Sequence, residues 1–66
     1  MNISINGDRK SVPDGATLAR ILELFNIVAA TIVVEHNGVI VPPDSLAVNP
    51  LSEGDQLEFI RFVGGG

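Results

Sequence analysis

No cysteine occurs in the 66 residues, and histidine occurs once. The first absence excludes a disulfide framework and a thiolate metal centre, and the second excludes a histidine-rich zinc cluster. Stability therefore has to come from hydrophobic packing. The missing cysteine has a chemical consequence too: any sulfur that this protein handles cannot ride on a thiol of its own. Positive charge is scarce, with four Lys and Arg against eight Asp and Glu and a net charge of −4. No basic stripe is available to release counterions from a phosphate backbone, so nucleic acid is not an expected partner. An acidic balance serves solubility first, and it also steers a protein toward basic surfaces of others. Long apolar runs are missing as well. The longest, residues 25–34, is broken by Asn26 and Thr31 and falls short of the roughly 20 residues needed to span a bilayer. The opening Met1-Asn2-Ile3-Ser4-Ile5-Asn6 has neither the basic nor the apolar region of a secretory signal. A cytoplasmic protein without membrane contact is expected.

What is present is enough for one small domain. A chain of this size buries only about 60% of the surface that its unfolded form exposes. The 45% hydrophobic content suffices for one thin core. Ile3 and Ile5 alternate with polar residues, Asn6-Gly7 offers the two positive-φ positions of a tight hairpin turn, and residues 9–12 read as the returning strand. Pro13-Asp14-Gly15 breaks that pattern. Thr17 then stands where a helix N-cap is needed, and Leu18, Ile21, Leu22 and Phe25 fall at the i, i+3, i+4, i+7 spacing of one helix face, with Ala19, Arg20 and Glu23 opposite. Residues 31–36 are dense in β-branched side chains, and Asn37-Gly38 followed by Val39-Ile40-Val41 completes a second hairpin. Pro42-Pro43 ends it, residues 44–50 read as a connection with at most one helical turn around Ser45-Leu46-Ala47, and residues 52–55 read as a turn. A last strand over residues 56–63 is long enough to cross the middle of a sheet. Two hairpins, one helix and a long final strand define an α+β domain with a sheet of four or five strands and one face covered by the helix.

The chain closes Phe62-Val63-Gly64-Gly65-Gly66, so a strand-like segment runs directly into three residues without side chains. Glycine lacks the Cβ that would collide with the walls of a narrow site. Three such residues extend about 10 Å, enough to place a carboxylate inside another protein. A frayed end is the plainer alternative, but no polar spacer separates the glycines from the strand. The division expected is a domain over residues 1–63 and a flexible tail over residues 64–66, with the chemistry performed on this chain and not by it. Along the last strand, Leu57 and Phe59 pointing toward the helix would leave Glu58, Ile60 and Phe62 on the open face. Ile60, Phe62 and Val63 are then candidates for partner docking, unless the sheet's twist or the 44–50 connection covers Ile60 and Phe62.

The order of elements resembles the ubiquitin-like β-grasp fold. The Asp14-Gly15-Ala16-Thr17-Leu18 helix start, the Val33-Val34-Glu35-His36-Asn37-Gly38 hairpin, the Glu53-Gly54-Asp55 turn and the Arg61-Phe62-Val63-Gly64-Gly65-Gly66 ending are similar to the thiamine-biosynthesis sulfur carrier family. The resemblance covers the whole chain. It implies a mixed sheet packed on one main helix and a cycle centred on Gly66. An adenylating, E1-like enzyme uses ATP to join the Gly66 carboxylate to AMP, with Gly64 and Gly65 threading its active site. A sulfur donor such as a cysteine desulfurase or rhodanese-type protein converts the adenylate to a thiocarboxylate, and thiazole synthase receives the sulfur. No bound cofactor is implied, since ATP belongs to the partner. The chemistry is sound on its own terms. A terminal carboxylate with a pKa near about 3.5 is an anion and a poor electrophile at neutral pH. The mixed anhydride with AMP has a good leaving group that a sulfur nucleophile displaces.

Carriers for molybdopterin, tRNA thiolation or cysteine synthesis share this ending, as do ubiquitin-like modifiers joined to lysines, and the residues separate these customers poorly. A catalytic role is not expected. The domain is too small to enclose a substrate pocket, and no nucleophile–base pair, phosphate loop or metal spacing is present. His36 reads as a surface residue at a hairpin end, and Glu53, Asp55 and Glu58 read as a solvated face and a turn former.

Overall fold

The computed structural model describes residues 1–62. Val63, Gly64, Gly65 and Gly66 lie outside the described residues, and with them the expected domain boundary and tail. Strand β1 (Asn2–Ile5) pairs antiparallel with β2 (Asp8–Ser11) through the Asn6-Gly7 turn, where both residues take positive φ, 50° and 86°. Strands β3 (Ile32–His36) and β4 (Val39–Val41) repeat the device through Asn37-Gly38. Strand β5 (Gln56–Arg61) lies between the hairpins, parallel to β1 and antiparallel to β3. The sheet of five strands has the order β2-β1-β5-β3-β4, the mixed sheet and single main helix of a ubiquitin-like β-grasp.

Helix α1 (Leu18–Leu24) crosses one face of this sheet. Thr17 caps it as expected, its Oγ1 accepting from the Arg20 N–H at 3.2 Å. At the other end Asn26 takes φ 56°, the Asn26 N–H donates to the Glu23 carbonyl and the Ile27 N–H donates to the Leu22 carbonyl at 2.8 Å. This left-handed cap stops the helix at Phe25. The periodicity places Phe25 on the buried face with Leu18, Ile21 and Leu22, but the cap turns the chain first. Its ring is partly exposed, with Lys10 Nζ 5.9 Å from the centroid. Ala19, expected on the solvated side, packs against the core instead, because the connection after β4 returns over the helix start and Leu46 O accepts from the Ala19 N–H. The helical turn in that connection is a single 3-10 turn at Pro43–Ser45, two residues earlier than expected, where the fixed φ of proline opens it. Another 3-10 turn, Ala29–Thr31, precedes β3.

The core lies between helix and sheet. Ile3, Ile21 and Leu57 are its largest fully buried side chains, joined by Ile5, Leu18, Leu22, Ile32 and Val34 from the strands and helix and by Leu46 and Leu51 from the connection. Strand β5 ends at Arg61 and not at residue 63. The Phe62 N–H still donates to the Thr31 carbonyl at 3.0 Å, but β3 begins at Ile32 and offers β5 nothing further to pair with.

Candidate functional site

Alternation along β5 sets the candidate site. Leu57 is buried and Phe59 packs against the core, so Glu58, Ile60 and Phe62 face away from the helix. Ile60 is 47% exposed and Phe62 58%. The antiparallel register puts Val33 opposite Ile60 and Glu35 opposite Glu58, and Glu35 lies opposite Ile40 of β4. Val33, Ile40, Ile60 and Phe62 thus form an apolar half of the open sheet face, while Ser4, Arg9 and Gln56 make the other half polar. Val33, Glu35 and Ile40 were not among the candidates read from sequence. Counting outward from the Asn37-Gly38 turn, which pairs His36 with Val39, would have placed them on this face.

Phe62 also borders a cavity of about 170 Å³, which it lines with Ile32, Val33, Ile40, Pro42 and Pro43. The side chain is therefore both exposed on the open face and sheltered at its margin by the segment that ends β4. Glu35 and Glu58 are like charges on directly opposed residues, an arrangement that disfavours the sheet. Among the described residues no ion pair relieves them: Arg20 pairs with Glu23, Lys10 lies over Phe25, Arg9 sits two strands away, and Arg61 projects to the other face.

The remaining polar residues serve the fold. Asp55, expected in a solvated turn, is only 14% exposed at its side chain. Its Oδ2 accepts from the Ser52 N–H at 2.8 Å and lies 2.8 Å from His36 Nε2, while Oδ1 accepts from Asn37 Nδ2 at 3.2 Å. Desolvation pushes its pKa up, but the bonds from Ser52, His36 and Asn37, with the His36 charge, outweigh it and hold the carboxyl below its ordinary value of 3.8. His36 is correspondingly half-buried and not a plain surface residue. The cause is the long pairing of β3 with β5, which brings hairpin end and turn together. Glu53 accepts from the Asn2 N–H at 2.8 Å. Among the described residues no group of side chains could hold a metal ion, and no helix is long and apolar enough to cross a membrane.

A helix-backed mixed sheet whose central final strand carries an exposed apolar face defines a ubiquitin-like β-grasp domain. Comparison with known proteins is more specific. The model of the ThiS family matches residues 3–66, and the chain belongs to that family. A crystal structure of the thiamine biosynthesis protein ThiS from Geobacter metallireducens superposes with a TM-score of 0.82 at 31% identity, covering 100% of both chains. A solution structure of a thiamine biosynthesis protein from the same organism gives a TM-score of 0.78 at 28% identity over 100% of this chain and 88% of that one. Among curated relatives, thiazole synthases from Paramagnetospirillum magneticum and Magnetococcus marinus are 33% and 32% identical over 66 residues. These cover 100% of this chain but 20% of each relative, so the chain spans about one fifth of the length of the curated relatives it matches.

Proposed function

We propose that this protein is the sulfur carrier of thiamine thiazole synthesis, modified at the carboxylate of Gly66 and docked through the open face of its sheet. The observation that supports it most is the end-to-end likeness to a thiamine biosynthesis ThiS structure, with a TM-score of 0.82. The matches to one fifth of two thiazole synthases favour thiazole synthase as sulfur acceptor over the molybdopterin, tRNA and cysteine pathways. The carrier is not itself an enzyme.

In the proposed cycle the Gly66 carboxylate attacks the α-phosphate of ATP on the adenylating enzyme, releasing pyrophosphate and forming the acyl adenylate. A persulfide of the sulfur donor displaces AMP. A thiol then cleaves the sulfur–sulfur bond, leaving the thiocarboxylate on Gly66 and a disulfide on the donor side. This chain contributes position and no side-chain catalysis. Val33, Ile40, Ile60 and Phe62 give the enzyme an apolar footing beside the outgoing strand, Val63 is a further candidate for partner contact, and Gly64 and Gly65 suit a narrow entrance because they carry no Cβ. The unrelieved Glu35–Glu58 pair suits a partner surface that brings a cation to the face. The location proposed with this cycle is the cytoplasm.

Exchange of labelled pyrophosphate into ATP by the cognate adenylating enzyme tests the first step. Exchange that depends on this chain supports the reading. Exchange indifferent to the chain contradicts it, and amide-linked conjugates on a denaturing gel would mark a protein modifier instead.

A further inference from the structure

The two Asn-Gly turns do more than reverse the chain, and they act on the same strand. In the second turn, the Asn37 N–H donates to the Gln56 carbonyl at 2.8 Å and Asn37 Oδ1 accepts from the Gln56 N–H at 2.8 Å, which fastens the start of β5. In the first turn, the Asn6 N–H donates to the Leu57 carbonyl at 2.9 Å. Its side chain then reaches one step further along β5: Oδ1 accepts from the Phe59 N–H at 2.8 Å, and Nδ2 donates to the Phe59 carbonyl at 3.3 Å. A carboxamide has the donor and acceptor of a peptide group. Asn6 thus extends the β1–β5 ladder past Leu57, where the backbone of β1 turns away.

The consequence falls on the end of β5. On the β3 side its bonds run to Phe62, and on the β1 side the Asn6 carboxamide is the last fastening among the described residues. A strand held along one edge twists more freely than one held along both. Double fastening at Phe59 fixes the roll of the strand three residues before Phe62, the last described residue.

Resting on the proposed carrier function, we propose that Asn6 is a positioning residue that holds the end of β5 in the orientation the adenylating enzyme docks. Misplacement of a reacting group by a fraction of an ångström to an ångström lowers turnover strongly without abolishing binding. Asn37 supplies an internal control, because it makes the matching clamp at the far end of the same strand in a turn of the same conformation.

The variants Asn6→Gly and Asn37→Gly both keep the positive φ that the turns require and remove only the carboxamide. Amide exchange at Phe59 in Asn6→Gly should quicken by roughly tenfold or more, the scale of a lost hydrogen-bonded pair. Initial rates of Gly66 modification with the cognate adenylating enzyme, ATP and sulfur donor should show kcat lowered roughly tenfold with KM for the carrier changed less than about twofold. Asn37→Gly should keep wild-type kcat. Asn6→Asp, which retains an acceptor for the Phe59 N–H, should recover part of the loss. Wild-type kcat in Asn6→Gly, or an equal fall in Asn37→Gly, overturns the positioning role alone. A wild-type chain that is never modified overturns the carrier function and the positioning role together.

Discussion

The two faces of the sheet are built from the same strands and similar side chains, yet only one of them is covered. On the helix side Ile3, Ile5, Ile32, Val34 and Leu57 are buried, while on the open side Ile40, Ile60 and Phe62 are exposed. Ile60 lies next in sequence to Phe59, which packs against the core, so neither local composition nor strand propensity separates them. What separates them is the helix. The difference teaches that apolar residues on the open side are not required by the fold, so their presence there needs another explanation, and contact with a partner supplies one.

Truncating the covered face should break the comparison most. Leu57→Ala leaves a cavity under the helix at the centre of the sheet and should cost about 2–5 kcal/mol, read as a fall in urea midpoint without loss of slope. Next is the network that binds the second hairpin to the start of β5. Asp55→Ala removes bonds to Ser52, Asn37 and His36 and should cost roughly 1–3 kcal/mol. This contribution depends on pH in a defined direction. The folded carboxyl is held below 3.8, so its stabilisation is complete above that value and is lost as pH falls through the depressed folded value. Wild type and Asp55→Ala should therefore differ fully above 3.8 and converge in urea melts as the pH is taken progressively below it. The smallest effect on stability belongs to the open face. Ile60→Asp or Phe62→Asp should alter it by about 0.5 kcal/mol or less, yet weaken capture by the adenylating enzyme in a binding titration. Open-face variants that melt as early as Leu57→Ala would show that the two faces differ less than their exposure indicates.

Much of this was legible before any coordinates. The two Asn-Gly turns, the Thr17 cap and the alternation of β5 are local chemistry, written in residues that are neighbours in sequence. Phe25 escaped for a local reason, the Asn26 and Ile27 cap that closes the helix behind it. The rest of what escaped depends on distant partners: Ala19 is covered because Leu46 returns over the helix start. Asp55 closes the 52–55 turn as read, but its burial beside His36 exists only once β3 and β5 pair. The Asn6 clamp joins residues 53 apart, a pairing that exists only once β1 and β5 are parallel neighbours. In the candidate site, Ile60 and Phe62 were readable from period-two alternation, whereas Val33, Glu35 and Ile40 required the register across strands.

The most direct test of the carrier function is the intact mass of the protein after incubation with ATP, a sulfur donor and its cognate adenylating enzyme. One oxygen should be replaced by one sulfur, located by fragmentation at Gly66. A chain lacking Gly66, whose terminal carboxylate falls short by about 3.5 Å, should fold as before and gain no sulfur. Sulfur located at any other residue, or full conversion of the shortened chain, would contradict the account.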